Sequence, residues 1–156
     1  MARKLERIQH LKGVAGQFFK VGDFLKAARI YQKINGYYNF GDSSNNYQKE
    51  DEASEEYQKT YGELMSLKLV CFLNLVVCKH KLKDWQSIVG ITDQILEMDP
   101  SNVKCLYFRG NALLELQEHA RSVECLAKLV QIDPKHSDGR SLFEKAKKVK
   151  KEFQEA

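Results

Sequence analysis

The sequence predicts an all-α fold, and three observations carry that expectation. Proline and glycine are scarce, two and nine in 156 residues, so little interrupts a helix. Apolar residues recur at spacings of three and four, while strand-type alternation is nearly absent. Two Asp-Pro pairs, Asp99-Pro100 and Asp133-Pro134, stand 34 residues apart, the length of a helix–turn–helix unit repeated along a chain. With 43% hydrophobic and 29% charged residues, the chain carries enough apolar side chain for one compact core and is neither disordered nor fibrous.

The elements follow in order. Helices are expected over 4–20 and 23–37, the first beginning in "MARKLERIQHLKG", which lacks the apolar centre of a signal peptide. Residues 41–56, "GDSSNNYQKEDEASEE", hold six acids against Lys49 and read as a solvated insert leading into a helix over 53–81. Further helices are expected over 85–97, 102–115 and 119–131. Pro100 before Ser101-Asn102, and Pro134 before Ser137, put turn and N-cap chemistry where helices start. A last helix over 137–154 has Leu142, Ala146, Val149 and Phe153 at intervals of four, three and four, a stripe suited to sealing the final repeat. The tail 135–156 is basic, with seven Lys or Arg against four acids. Its segment 145–153 also has the composition of a calmodulin-binding or membrane-surface helix. No apolar run approaches the roughly 18 residues of a membrane span, so a soluble protein of the cytoplasm or nucleus is expected.

The period holds at the level of side chains. Counting from the unit closed by Pro134, which starts at Val103, the eighth position is Gly110, where two helices must approach closely. In the same frame upstream of Pro100, Val76 is eighth and Trp85 seventeenth. A third copy, in "AGQFFKVGDFLKAARIYQKI", has Ala15 eighth, Phe24 seventeenth, Ala27 twentieth and Tyr31 twenty-fourth. Small and aromatic residues at these offsets resemble the tetratricopeptide repeat (TPR). The resemblance implies three helix–turn–helix repeats in a right-handed superhelix, near 5–37, 53–100 and 101–134, with an acidic insert at 38–52 and a capping helix at 135–156. The stretches "KLERIQHLKGVAGQFFKVGDFLKAARIYQK" and "LKLVCFLNLVVCKHKLKDWQSIVGITDQILEMDPSNVKCLYFRGNALLELQEHARSVECLAKLVQIDP" are similar to the C-terminal repeat domain of FKBP-type immunophilins, which are peptidyl-prolyl isomerase (rotamase) co-chaperones. An unrelated three-repeat module with a similar insert would share the same marks.

In that family five positions form a clamp for the carboxylates of heat-shock chaperone tails ending in Glu-Glu-Val-Asp. Carried over residue by residue, Lys12, Asn74 and Lys104 match it. Gly16 stands where Asn is usual, and Phe108 where Arg is usual. Ammonium groups and an amide suit paired carboxylates through charge-assisted hydrogen bonds. Phe108 offers no such bond. The neighbouring Arg109 is turned about 100° around the helix from it. The clamp is therefore partial, and a groove retuned to a less acidic partner is the alternative. The implied partner is a chaperone tail, with calmodulin at 145–153 as a second, and no nucleic acid is implied by a net charge of +4.

No catalytic residue, cofactor or metal is expected. "GVAG" lies on a helix without the preceding strand a dinucleotide site needs. Cys71, Cys78, Cys105 and Cys125 stand among apolar residues as buried thiols rather than at metal-ligand spacing. In the resembling family the isomerase domain precedes the repeats, so the chain reads as the non-catalytic C-terminal part of a longer isomerase.

Overall fold

The computed structural model describes residues 1–39 and 54–155. Among the described residues there are seven α-helices and no strand: α1 (Ala2–Lys20), α2 (Phe24–Asn39), α3 (Glu55–Lys81), α4 (Trp85–Met98), α5 (Val103–Glu115), α6 (His119–Ile132) and α7 (Ser137–Glu155). These bounds lie within two residues of those expected. Most of the expected insert falls outside the described residues, although α2 itself continues to Asn39. The chain divides into two compact units, Met1–Cys78 and Lys79–Ala156.

In the first unit α1 packs on α2, burying Ile8 and Ala15 against the inward face that carries Ala27, Tyr31 and Ile34. α3 is long and apolar enough to cross a bilayer, with mean hydropathy 1.5 over 18 residues. Its apolar side is used within the fold, where Leu64, Cys71, Phe72, Leu75 and Val76 are all buried. Tyr38 ties α2 to α3 by donating to the Leu64 carbonyl at 2.8 Å, and its ring meets Phe72 edge-on.

In the second unit α5 packs between α4 and α6, and α7 covers α6. α5 and α6 approach closely. A Cβ on Gly110 would lie 2.5 Å from Leu126 Cδ2, and Leu126 is fully buried. Buried Ser122 donates to the Gly110 carbonyl at 2.8 Å, so the small residue at the eighth position brings the two backbones together. At the α6–α7 junction a Cβ on Gly139 would meet Leu129 Cδ2 at 2.4 Å. Ala146 of α7 is fully buried.

One turn geometry recurs. Two residues beyond α1, α3 and α5 stands a residue with positive φ: Gly22 (82°), Lys83 (58°) and Gln117 (62°). Each turn is closed by two backbone bonds, Lys83 N–H to His80 and Asp84 N–H to Lys79 in one, Gln117 N–H to Leu114 and Glu118 N–H to Leu113 in another. Asp23 and Asp84 then cap the following helices through Lys26 N–H and Ser87 N–H. The Asp-Pro turns also repeat. Asp99 N–H donates to Ile95 and Asn102 N–H to Asp99, as Asp133 N–H does to Leu129 and His136 N–H to Asp133. Asn102 caps α5 by accepting from Cys105 N–H at 2.9 Å. The cap of α7 departs from expectation: His136 Nδ1 accepts from Gly139 N–H at 2.8 Å, and Ser137 is the first helical residue. His136 holds the place 34 residues after Asn102, so the repeated turn rather than residue preference selects the cap.

Candidate functional site

In the first unit, Leu5, Gln9, Lys12 and Gly16 follow one another at helical spacing along a single face of α1. Leu5 and Gln9 line an open groove of about 570 Å³ whose other wall is Lys59, Gly62, Glu63, Ser66, Leu67 and Val70 of α3. Lys12 and Asn74 lie outside that lining, each about one turn along its helix from Gln9 and Val70. The Lys12 ammonium acts on the thiol of Cys71, three residues before Asn74. Burial nevertheless dominates and pushes that thiol up to about 11. Asn74 is half-buried, and its amide nitrogen donates to the Tyr31 hydroxyl at 3.3 Å. Tyr31 is itself buried on α2; desolvation raises its pKa while the Asn74 bond opposes the rise. The amide is thus held in place by the aromatic residue at the twenty-fourth repeat position. Gly16 leaves open space, with no atom within 4 Å of where a Cβ would stand.

In the second unit, Lys104 is exposed on the first turn of α5, and Phe108 follows one turn later on the same face. Phe108 belongs to a run of rings. Its centroid is 5.1 Å from His80 and 5.6 Å from Tyr107, both edge-on. His80 continues to Trp85 at 5.5 Å, and Tyr107 to His136 at 5.7 Å. Burial lowers the pKa of His80; Lys81 adds to the effect and Glu115 opposes it. His80 Nδ1 is buried without a hydrogen-bond partner. Arg109 is turned away to α4. Its guanidinium donates to the Val89 carbonyl and the Thr92 hydroxyl, both at 3.0 Å, and pairs with Asp93 at 2.7 Å. Its side chain is 13% exposed, so it locks α4 to α5 instead of standing beside Lys104.

The C-terminal domain of a Plasmodium falciparum FK506-binding protein, described as TPR-containing, superposes on this arrangement with a TM-score of 0.83, covering 98% of this chain and 94% of that one at 22% identity. The chain has the tetratricopeptide-repeat fold. The first TPR domain of Spaghetti (RPAP3), solved bound to the HSP90 peptide SRMEEVD, has the same fold with a TM-score of 0.66, covering 92% of this TPR chain and 93% of its own at 15% identity. In sequence, the TPR chain is 27% identical over 140 residues to the Mus musculus peptidyl-prolyl cis-trans isomerase FKBP4. The match takes in 90% of the chain but 28% of that relative's length. No family model matches.

The partners of these residues were not legible in the sequence. In the sequence Tyr31 stands out only as a repeat aromatic, and nothing marks it as the anchor of Asn74. His80 had no sequence signal, because its place beside Phe108 depends on how the end of α3 meets α5.

Proposed function

We propose that this TPR domain is the peptide-binding module of an FKBP-type co-chaperone, taking an acidic C-terminal tail of a heat-shock chaperone by its free carboxylates, in the cytoplasm. The observation that carries the reading is the Asn74 amide held by Tyr31, one turn along α3 from the Val70 that lines the open groove of the first unit. An ammonium group and a fixed amide suit a carboxylate, and an extended chain end fills an open groove without a deep pocket. Two likenesses support it: a domain of the same fold that holds an HSP90 peptide ending in Glu-Glu-Val-Asp, and a relative that is a peptidyl-prolyl isomerase. Lys104 is the further lysine assigned to this ligand by the resemblance. The prolyl isomerase activity belongs to a domain preceding these repeats in the longer protein.

Calorimetry with a peptide ending in Glu-Glu-Val-Asp, with its α-carboxylate free or amidated, tests the reading. Binding of the free form should be lost on amidation and weakened at least tenfold by Lys12→Gln. Substituting Lys104→Glu, which sets a like charge against the tail, should cost about 2 kcal/mol or more of binding without lowering the melting temperature. Equal binding of both peptide forms contradicts the proposal.

A further inference from the structure

The face of α5 that carries Lys104 offers one cation and then no second one. One turn on stands Phe108, braced edge-on by His80 and Tyr107. Two turns beyond Phe108 stands Glu115, near enough to His80 to act on its titration. The guanidinium that might have joined this face is fixed to Val89, Thr92 and Asp93 on α4. A peptide ending in Asp brings two carboxylates. If Lys104 takes one, a second carboxylate set against Phe108 meets a ring and no further cation of α5. A ring supplies no hydrogen-bond donor, and desolvating a carboxylate without one is unfavourable. An apolar side chain at the same place would bury its surface against Phe108 and Tyr107, both half-exposed.

We infer that the Lys104–Phe108 face selects a ligand whose last residue is bulky and apolar, with the α-carboxylate at Lys104 and the terminal side chain on the Phe108–Tyr107 rings. This specificity rests on the proposed binding of a free peptide C-terminus and narrows it. The preferred tail keeps its upstream acids but ends in a residue such as Leu instead of Asp. His80 supports the shelf edge-on, its ring centroid 5.1 Å from that of Phe108.

The experiment uses two peptides that differ only in the last residue, ending in Glu-Glu-Val-Asp and Glu-Glu-Val-Leu, both with free α-carboxylates. They are titrated into the intact chain and into Phe108→Arg and Phe108→Gln. The Leu-ended peptide should bind the parent on the order of tenfold more tightly, the range that one well-packed apolar group supplies. Phe108→Arg should invert the preference, and Phe108→Gln should abolish it. A melting curve checks the fold of each, and either folded variant suffices to assign the effect. A parent that prefers the Asp-ended peptide overturns this inference while leaving the chaperone-tail reading intact. A preference for Leu that survives both substitutions overturns it too, by placing the selectivity elsewhere. If neither peptide binds the parent, both readings fall together.

Discussion

Gly110 shows how one missing side chain sets the spacing of two helices. A methyl group there would stand 2.5 Å from Leu126 Cδ2 and 2.6 Å from Cγ, and Leu126 is fully buried. Gly110→Ala gains helix propensity of about 0.5–1 kcal/mol, but overpacking a closed core costs about 1–3 kcal/mol. The net change should be destabilising, with the Ser122 bond to the Gly110 carbonyl stretched as the helices part. Thermal unfolding of the variant checks this, and an unchanged or raised midpoint would mean Leu126 can yield. His80 gives a second residue-scale expectation. Burial first, and Lys81 second, depress its pKa below the ordinary 6.5, so the folded state resists protonation that the unfolded chain accepts. The stability tied to neutral His80 is fully present above pH 6.5 and is lost as pH falls from there towards the depressed value. The melting temperature should therefore drop as pH falls below about 6.5, and His80→Gln should flatten that slope.

Elements were the most legible level of this molecule. Helix bounds came within two residues because amphipathic spacing, Asp-Pro turns and scarce glycine all pointed the same way. What the sequence hid was which residue of a turn does the capping. Ser137 has the better intrinsic preference, yet the backbone bonds of the Asp-Pro turn put His136 at the cap position. The candidate site divides in the same manner. Lys12, Asn74, Lys104 and Phe108 could be placed by repeat register. The Tyr31 anchor, the ring run through His80 and the removal of Arg109 to α4 depend on packing between helices distant in sequence. For α7, packing dominates as well. Gly139 lies against Leu129, Ala146 is buried, and Phe153, although 62% exposed, sets its ring 4.7 Å from His119. Deleting 137–156 uncovers that side of α6, and terminal repeats left without a polar cap lose stability and solubility. The truncated chain should melt several degrees lower and associate on sizing chromatography. A monomer as stable as the parent would assign the basic tail a role other than covering α6.

As a whole the chain is built from a turn vocabulary small enough to reuse. Asp99 to Asn102 and Asp133 to His136 make the same backbone bonds, and Lys83 and Gln117 occupy the same left-handed conformation, each pair 34 residues apart in the chain. Matching junctions are interchangeable parts. A second copy of residues 101–134 inserted after Pro134 would enter through Asp-Pro-Ser-Asn, as the existing copy does after Pro100, and leave through the native Asp-Pro-Lys-His into α7. Its α5-equivalent would meet the preceding α6 where α7 now lies, and its own α6-equivalent would offer α7 the surface that α7 already fits. In an array where each unit answers only to its neighbours, stability adds along the chain. The lengthened protein should gain helical circular dichroism in proportion to its added residues and melt at or above the temperature of the parent. Aggregation or a lower midpoint would show that α7 is fitted to the present end alone.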